Sequence, residues 1–230
     1  MKLNFISKMM LGTAAAITML SCNIDDDSTY YTPDNNIAFS IIANASPSSG
    51  DLYFYADANR INATPSVYGT AEGYFRLYTG KRVLSLKDAT GTLLDSTTVN
   101  LKAGDVFSAF AVNTYNNVEL VTYNDTLQQP EAGQALVRFI NLSPDAGAVD
   151  ISGLNQTFAT GVDFKEATNY VSVKSGTYDI TFKNSTGAVL YTAKAEDFYS
   201  GSIYTIYTKG FATPPTGSND TFSTKKLRNY

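Results

Sequence analysis

One pattern is written twice in this chain, and that duplication constrains the fold more than any other feature. The segment "ANASPSSG" (residues 43–50) is answered by "INLSPDAG" (residues 140–147). Likewise "YFRLYTGKRVLSLKDATG" (residues 74–91) is answered by "YVSVKSGTYDITFKNSTG" (residues 170–187), and "AGDVFSAFAVN" (residues 103–113) by "SGSIYTIYTKG" (residues 200–210). The spacings agree: Pro47 to Gly80 is 33 and Pro144 to Gly176 is 32, while Gly80 to Gly91 and Gly176 to Gly187 are both 11. Gly91 to Gly104 is 13 and Gly187 to Gly201 is 14. Landmarks held in register over such a length indicate a duplicated structural unit.

Each copy reads as short strands. In "KRVLSLK", Val83, Ser85 and Lys87 alternate with Arg82, Leu84 and Leu86; in "TYDITFK", Tyr178, Ile180 and Phe182 alternate with Asp179, Thr181 and Lys183. Period two with one apolar face describes a half-buried strand. "KDATG" and "KNSTG" then supply turns, because Asp or Asn bonds nearby backbone and Gly tolerates positive φ. Tyr (16) and Phe (13) are plentiful, which suits pleated, half-buried strands. No amphipathic helix is evident beyond the first 22 residues. The expected fold is all-β: two tandem antiparallel β-sandwich domains of the immunoglobulin or transthyretin kind. Residues 36–127 form the first domain, 128–134 a linker and 135–230 the second. The linker "QQPEAGQ" is short enough for semi-rigid coupling.

The residue types narrow the chemistry. Histidine is absent and cysteine occurs once, at Cys22. That excludes Ser-His-Asp and Cys-His nucleophile systems and His-ligated zinc. A formal net charge of −4 with no basic stripe argues against a nucleic-acid partner. No metal or cofactor is expected, and the chain reads as a non-enzyme.

The beginning of the chain carries an address. Lys2 and Lys8 precede or border an uncharged apolar run at residues 9–20, too short to span a bilayer. A basic start, a short apolar run and a small residue before the cut describe a secretory signal peptide. With Ser21 before Cys22, residues 1–21 resemble a bacterial lipoprotein signal, which implies cleavage before Cys22 and lipid attachment to it. A lone thiol on an exported chain has no internal disulfide partner. Residues 22–35 read as an acidic tether. Asp25, Asp26 and Asp27 resemble the surface-export signal of Bacteroidetes lipoproteins, which implies an outer-membrane protein facing outside the cell; a periplasmic-facing location is the alternative.

The repeat itself resembles the bacterial family known as domain of unknown function 4397. The resemblance rests on "ALVRFINLSPDAGAVDI", "TYDITFK" and "GSIYTIYTKG" in the second copy. The first copy departs from it, with Ser48-Ser49 in place of Asp145-Ala146 and "LYFYAD" in place of "AVDISG". The family implies a β-sandwich and no established activity.

Candidate contacts are few. Tyr53 and Tyr55 share one strand face opposite Phe54, where they could stack on sugar rings or pack against a partner protein. Asp145 and Asp150 lie in and after the "SPDAG" turn, as ligand contacts or as turn chemistry. Tyr204 and Tyr207 fall on opposite faces of one strand, so one of them is expected at the surface. Ser28, Ser96 and Thr126 each follow an Asp and resemble O-glycosylation sites of Bacteroidetes exported proteins. Together these features point to a lipid-anchored envelope protein that binds a glycan or another envelope protein, or mediates adhesion. The alternatives are an accessory subunit of a glycan-uptake or pilus-like complex and, last, a carboxylate-based hydrolase.

Overall fold

The computed structural model describes residues 36–126 and 128–229. The expectations placed on residues 1–35, including Cys22, Asp25, Asp26, Asp27 and Ser28, lie outside the described residues. The first copy contains β1 (Ile37–Asn44), β2 (Leu52–Ala56), β3 (Asn59–Arg60), β4 (Ala71–Tyr78), β5 (Gly80–Asp88), β6 (Leu93–Leu101), β7 (Val106–Val112) and β8 (Glu119–Asn124). The second contains β9 (Gln134–Ile140), β10 (Val149–Gly153), β11 (Gln156–Val162), β12 (Val171–Lys174), β13 (Gly176–Asn184), β14 (Val189–Phe198), β15 (Ile203–Lys209) and β16 (Ser223–Arg228). No α-helix occurs among the described residues, which hold only a short 3₁₀ turn at Tyr115–Asn117.

The outer strands follow the period-two expectation. In β2, Leu52, Phe54 and Ala56 are buried while Tyr53 and Tyr55 are half-buried. In β13, Ile180 and Phe182 are fully buried. The turns follow too. Asp88 accepts the amides of Thr90 (2.8 Å) and Thr92 (2.9 Å), and Gly91 has φ +86°. In the second copy Asn184 accepts the amides of Thr186 (3.1 Å) and Ala188 (2.9 Å), with Gly187 at φ +84°. A positive φ at the fourth turn residue is inexpensive only for glycine.

Each copy is a sandwich of two four-stranded sheets. In the first, β4-β1-β7-β8 packs on β3-β2-β5-β6 around Ile42, Phe54, Leu86 and Phe107. In the second, β12-β9-β15-β16 packs on β11-β10-β13-β14 around Phe139, Ile151, Ile180 and Phe182. The sheets are not purely antiparallel. β1 pairs with β7 in parallel, and β9 with β15 likewise, so one sheet of each sandwich is mixed.

A third core joins the two copies. Ile41, Ala43, Phe110 and Val112 from β1 and β7 meet Ile140, Tyr207 and Leu227 from β9, β15 and β16. The mixed sheets therefore pack on each other and form the two inner layers of a four-layer stack. This corrects the expectation for Tyr204 and Tyr207. They do lie on opposite faces, but both are buried, at 2% and 0% exposure. Tyr204 enters the second sandwich core and Tyr207 the core between copies. A strand covered on both faces loses its wet side, as in buried parallel sheets.

A polar cluster lies beside this third core. Arg138 donates to Asp125 (2.6 Å), to the Asn124 carbonyl (2.8 Å) and to Thr205 Oγ1 (2.9 Å). Asp125 also accepts from Ser108 Oγ (2.7 Å) and Asn229 Nδ2 (3.0 Å). The Arg138 guanidinium lies 4.9 Å from the Tyr170 ring centroid. The tyrosine hydroxyls of Tyr123 and Tyr74 donate across the same boundary, to the carbonyls of Lys165 and Asn229.

Candidate functional site

The repeated "N-x-S-P" turns are structural. Asn44 and Asn141 are both wholly buried. Asn44 accepts the Ser46 amide (3.0 Å) and donates to the Ser66 carbonyl (2.9 Å). Asn141 accepts the Ser143 amide (3.2 Å) and donates to the carbonyls of Gly147 (2.8 Å) and Val162 (3.0 Å). Asp145 extends this scaffold, because its two oxygens accept the amides of Ala212 (2.7 Å) and Thr213 (2.9 Å). It therefore pins the loop before β16. Asp145→Ala is expected to lower the melting temperature by about 2–4 °C, corresponding to about 1 kcal/mol in a chain of this size. A thermal melt followed by circular dichroism checks this; an unchanged midpoint would remove the pinning role.

The outer sheet of the second sandwich carries an open groove of about 730 Å³. Its polar lining includes Ser152, Asn155, Thr157, Thr177, Asp179 and Thr181. Register explains the gathering: Ser152 lies opposite Thr181 in β13 and opposite Thr157 in β11, so hydroxyls from three strands share one face. The β10–β11 hairpin turns through Leu154 (φ +55°) and Asn155 (φ +57°), which raises Asn155 at the groove's end. Asp179 accepts Lys194 Nζ (2.7 Å) and the Ala195 amide (3.0 Å). These contacts, Lys194 first, hold its carboxyl below the ordinary value, so it is ionised through mildly acidic pH. Asp150 sits on the same face of β10, two residues before Ser152, and accepts the Gly161 amide (2.8 Å). The groove thus offers hydroxyl, amide and carboxylate groups to a polar ligand.

The outer sheet of the first sandwich is chemically different. Tyr53 and Tyr55 stand side by side, with Arg60 over the Tyr53 ring (5.2 Å to its centroid) and Lys87 over Tyr55 (4.5 Å). Ser96 is exposed on this face, opposite Ser85. Thr126 has a different setting. Its hydroxyl accepts the Gln128 amide (3.1 Å), and the preceding Asp125 has a wholly buried side chain held by Arg138. The structure thus joins Tyr53 with Tyr55 on the outer sheet of the first sandwich, while Asp150 lies on the outer sheet of the second, on the groove's face but outside its lining. Sequence reading missed Arg60 and Lys87 as companions of the tyrosines. The signal available was parity: Lys87 shares the face of Ser85 in the quoted alternation.

A model of the family described as Domain of unknown function (DUF4397) matches residues 41–152. The match runs from β1 into β10, over the first copy and the opening of the second. No curated protein matches the chain. Among solved structures, the chain is similar to the multi-modular glycogen-degrading pneumococcal virulence factor SpuA at 9% identity and a TM-score of 0.24; 76% of this chain and 21% of that one are covered. This chain therefore spans about a fifth of that protein. A provisionally assigned cell adhesion protein of Bacteroides uniformis is similar at 10% identity and a TM-score of 0.28, covering 84% of this chain and 98% of that one. The fimbrial anchor protein Mfa2 of Porphyromonas gingivalis is similar at 7% identity and a TM-score of 0.21, covering 84% and 97%. At TM-scores below 0.3, none of these bears on what this chain binds.

Proposed function

We propose that the protein is a non-enzymatic, lipid-anchored binding protein of the outer membrane, facing outside the cell, whose second sandwich holds a saccharide. The groove over β10, β11 and β13 is the observation that carries this reading: about 730 Å³ of open space lined by hydroxyls, two amides and an ionised carboxylate. Short hydroxyl and amide side chains on a rigid sheet complement a polyol, whose many donors and acceptors each need a partner. The groove is open, which suits a chain of sugars passing through better than a small molecule enclosed on all sides.

The test is a glycan array followed by calorimetric titration of the hits with the full-length protein. Asn155→Ala with Asp179→Ala is expected to weaken a hit at least tenfold while leaving the fold intact by circular dichroism. An array without hits, or hits indifferent to both substitutions, would sink the groove as a saccharide site. The anchor is a separate expectation. Acyl chains on Cys22, at about 0.8 kcal/mol per buried CH₂, hold a protein at a membrane. Cys22→Ala is expected to move the protein out of the outer-membrane fraction; unchanged fractionation would refute the anchor.

A further inference from the structure

The two outer sheets derive from one duplicated unit, yet they differ in chemistry, although Lys87 has a lysine counterpart in Lys183. Pairing the copies strand by strand aligns Tyr53 with Asp150, Tyr55 with Ser152 and Arg60 with Thr157. The fold of the second copy is built without the two tyrosines and the arginine, so their presence in the first is not required by the sandwich. They cluster on its solvent face. Val83, Ser85 and Lys87 of β5 point to the same side, as does Lys81, by the register of β5 with β6. β6 adds Ser96, Thr98 and Asn100, all exposed.

The strand positions just named carry charge of one sign. Arg60, Lys81 and Lys87 stand among them, and none of them carries a carboxylate, although the chain has 21 acidic residues against 17 basic ones. The ion pairs seen include those of Arg82, Arg138, Lys165, Lys194 and Lys226. Arg60 and Lys87 rest on the two tyrosine rings, which hold a cation in place without neutralising it. At the sheet's edge, a cleft of about 310 Å³ between β3 and β4 is lined by Arg60, Arg76 and Arg82, three of the chain's five arginines. Arg82 is tied to Asp57 there (3.1 Å).

We infer that the outer face of the first sandwich, Tyr53, Tyr55, Arg60 and Lys87, is a second binding site that takes an acidic saccharide, one bearing carboxylates. Two tyrosines one strand step apart, about 7 Å, offer to the C–H face of sugars the ring surface that Arg60 and Lys87 leave uncovered. The cations beside them pair with carboxylates, and the row of Ser96, Thr98 and Asn100 meets hydroxyls. That polar row argues against a lipid surface as the occupant, which would bury it. A peptide added as a strand would seek an edge; β3, the edge beside the tyrosines, is two residues long, and the other edge, β6, lies beyond β5 from them. The site is independent of the groove on the second sandwich.

The test titrates full-length protein with trigalacturonate, hyaluronate hexasaccharide and sialyllactose, and with the methyl esters of each. At least one acid is expected to bind tenfold or more tightly than its ester in 20 mM salt, with the advantage shrinking at 300 mM as the charges are screened. Arg60→Gln with Lys87→Gln is expected to remove that advantage, and Asn155→Ala with Asp179→Ala to leave it intact. The acid–ester comparison needs no variant, so a misfolded double variant does not spoil the test. Equal binding of acid and ester, no binding of any acid, or an advantage insensitive to Arg60→Gln with Lys87→Gln would overturn the inference. Binding to phosphatidylglycerol vesicles alone, lost in the double variant, would reassign the face to membrane. An acid advantage abolished by the groove substitutions would move the acidic ligand to the second sandwich.

Discussion

Asp125→Ala is expected to lower the unfolding free energy by about 3–5 kcal/mol, among the largest single losses in the molecule. The Arg138–Asp125 pair has side-chain exposures of 4% and 0%. Removing the carboxylate leaves a buried guanidinium uncompensated and strips partners from Ser108 and Asn229 as well. Breaking one side of a buried pair costs far more than the pair contributes, because desolvation of the survivor is no longer offset. Replacing both charges, Asp125→Leu with Arg138→Met, is therefore expected to recover much of the loss. Urea unfolding followed by far-ultraviolet circular dichroism measures both, since the chain has no tryptophan. A single-variant loss under about 1 kcal/mol would mean that the cluster is hydrated in solution.

Phe110→Ala should cost a similar amount, about 3–5 kcal/mol, for a different reason. Phe110 is wholly buried and meets Tyr207 edge-on at 5.0 Å and Tyr123 at 5.8 Å. It belongs to the core between copies, not to either sandwich's own core. The loss is accordingly expected in coupling. The parent should unfold in one transition and Phe110→Ala in two, with the copies melting separately. Tyr207→Phe is the contrast. Its hydroxyl has no protein partner and burial pushes it well above its ordinary value, so removing the oxygen is expected to be near neutral. A Phe110→Ala variant that loses less than about 1 kcal/mol and still melts as one unit would show that the third core carries little of the stability.

Much of the fold was legible because the outer sheets obey period two. The alternation in "KRVLSLK" and "TYDITFK" named the buried leucines and Phe182 correctly, and "KDATG" and "KNSTG" named their own turns. The inner sheets were less legible. In "IYTIYTK" six consecutive residues are buried because both faces are covered, so neither Tyr204 nor Tyr207 takes the surface position that one wet face would give. Arg138 was a missed signal: a charge inside the apolar run "ALVRFINL" must be paired if that strand is buried. Its partner, Asp125, sat in a motif read for glycosylation. The candidate sites were half legible. Tyr53 and Tyr55 could be placed on one face from parity alone. Their cations could not, because Arg60 and Lys87 reach them across strand pairings that no local spacing encodes.

The parallel pairing of β1 with β7 has a kinetic meaning. Phe39 is registered with Val106, and Leu136 with Ile203, so both copies close a loop of 67 residues to complete an inner sheet. The entropy of closing such a loop must be met before the contacts return anything, which places folding in the millisecond-to-second range typical of high contact order. During synthesis β1 cannot find its central partner until the chain is made past residue 112, and the apolar run of β1 must wait in solution. The second copy repeats the same delay from Gln134 onward. The surface that finally shelters the back of β1 comes from strands whose sheet closes only with β15 and β16. A chain stopped after the first copy would therefore expose Ile41, Ala43, Phe110 and Val112 together, a ready patch for chaperones or for self-association.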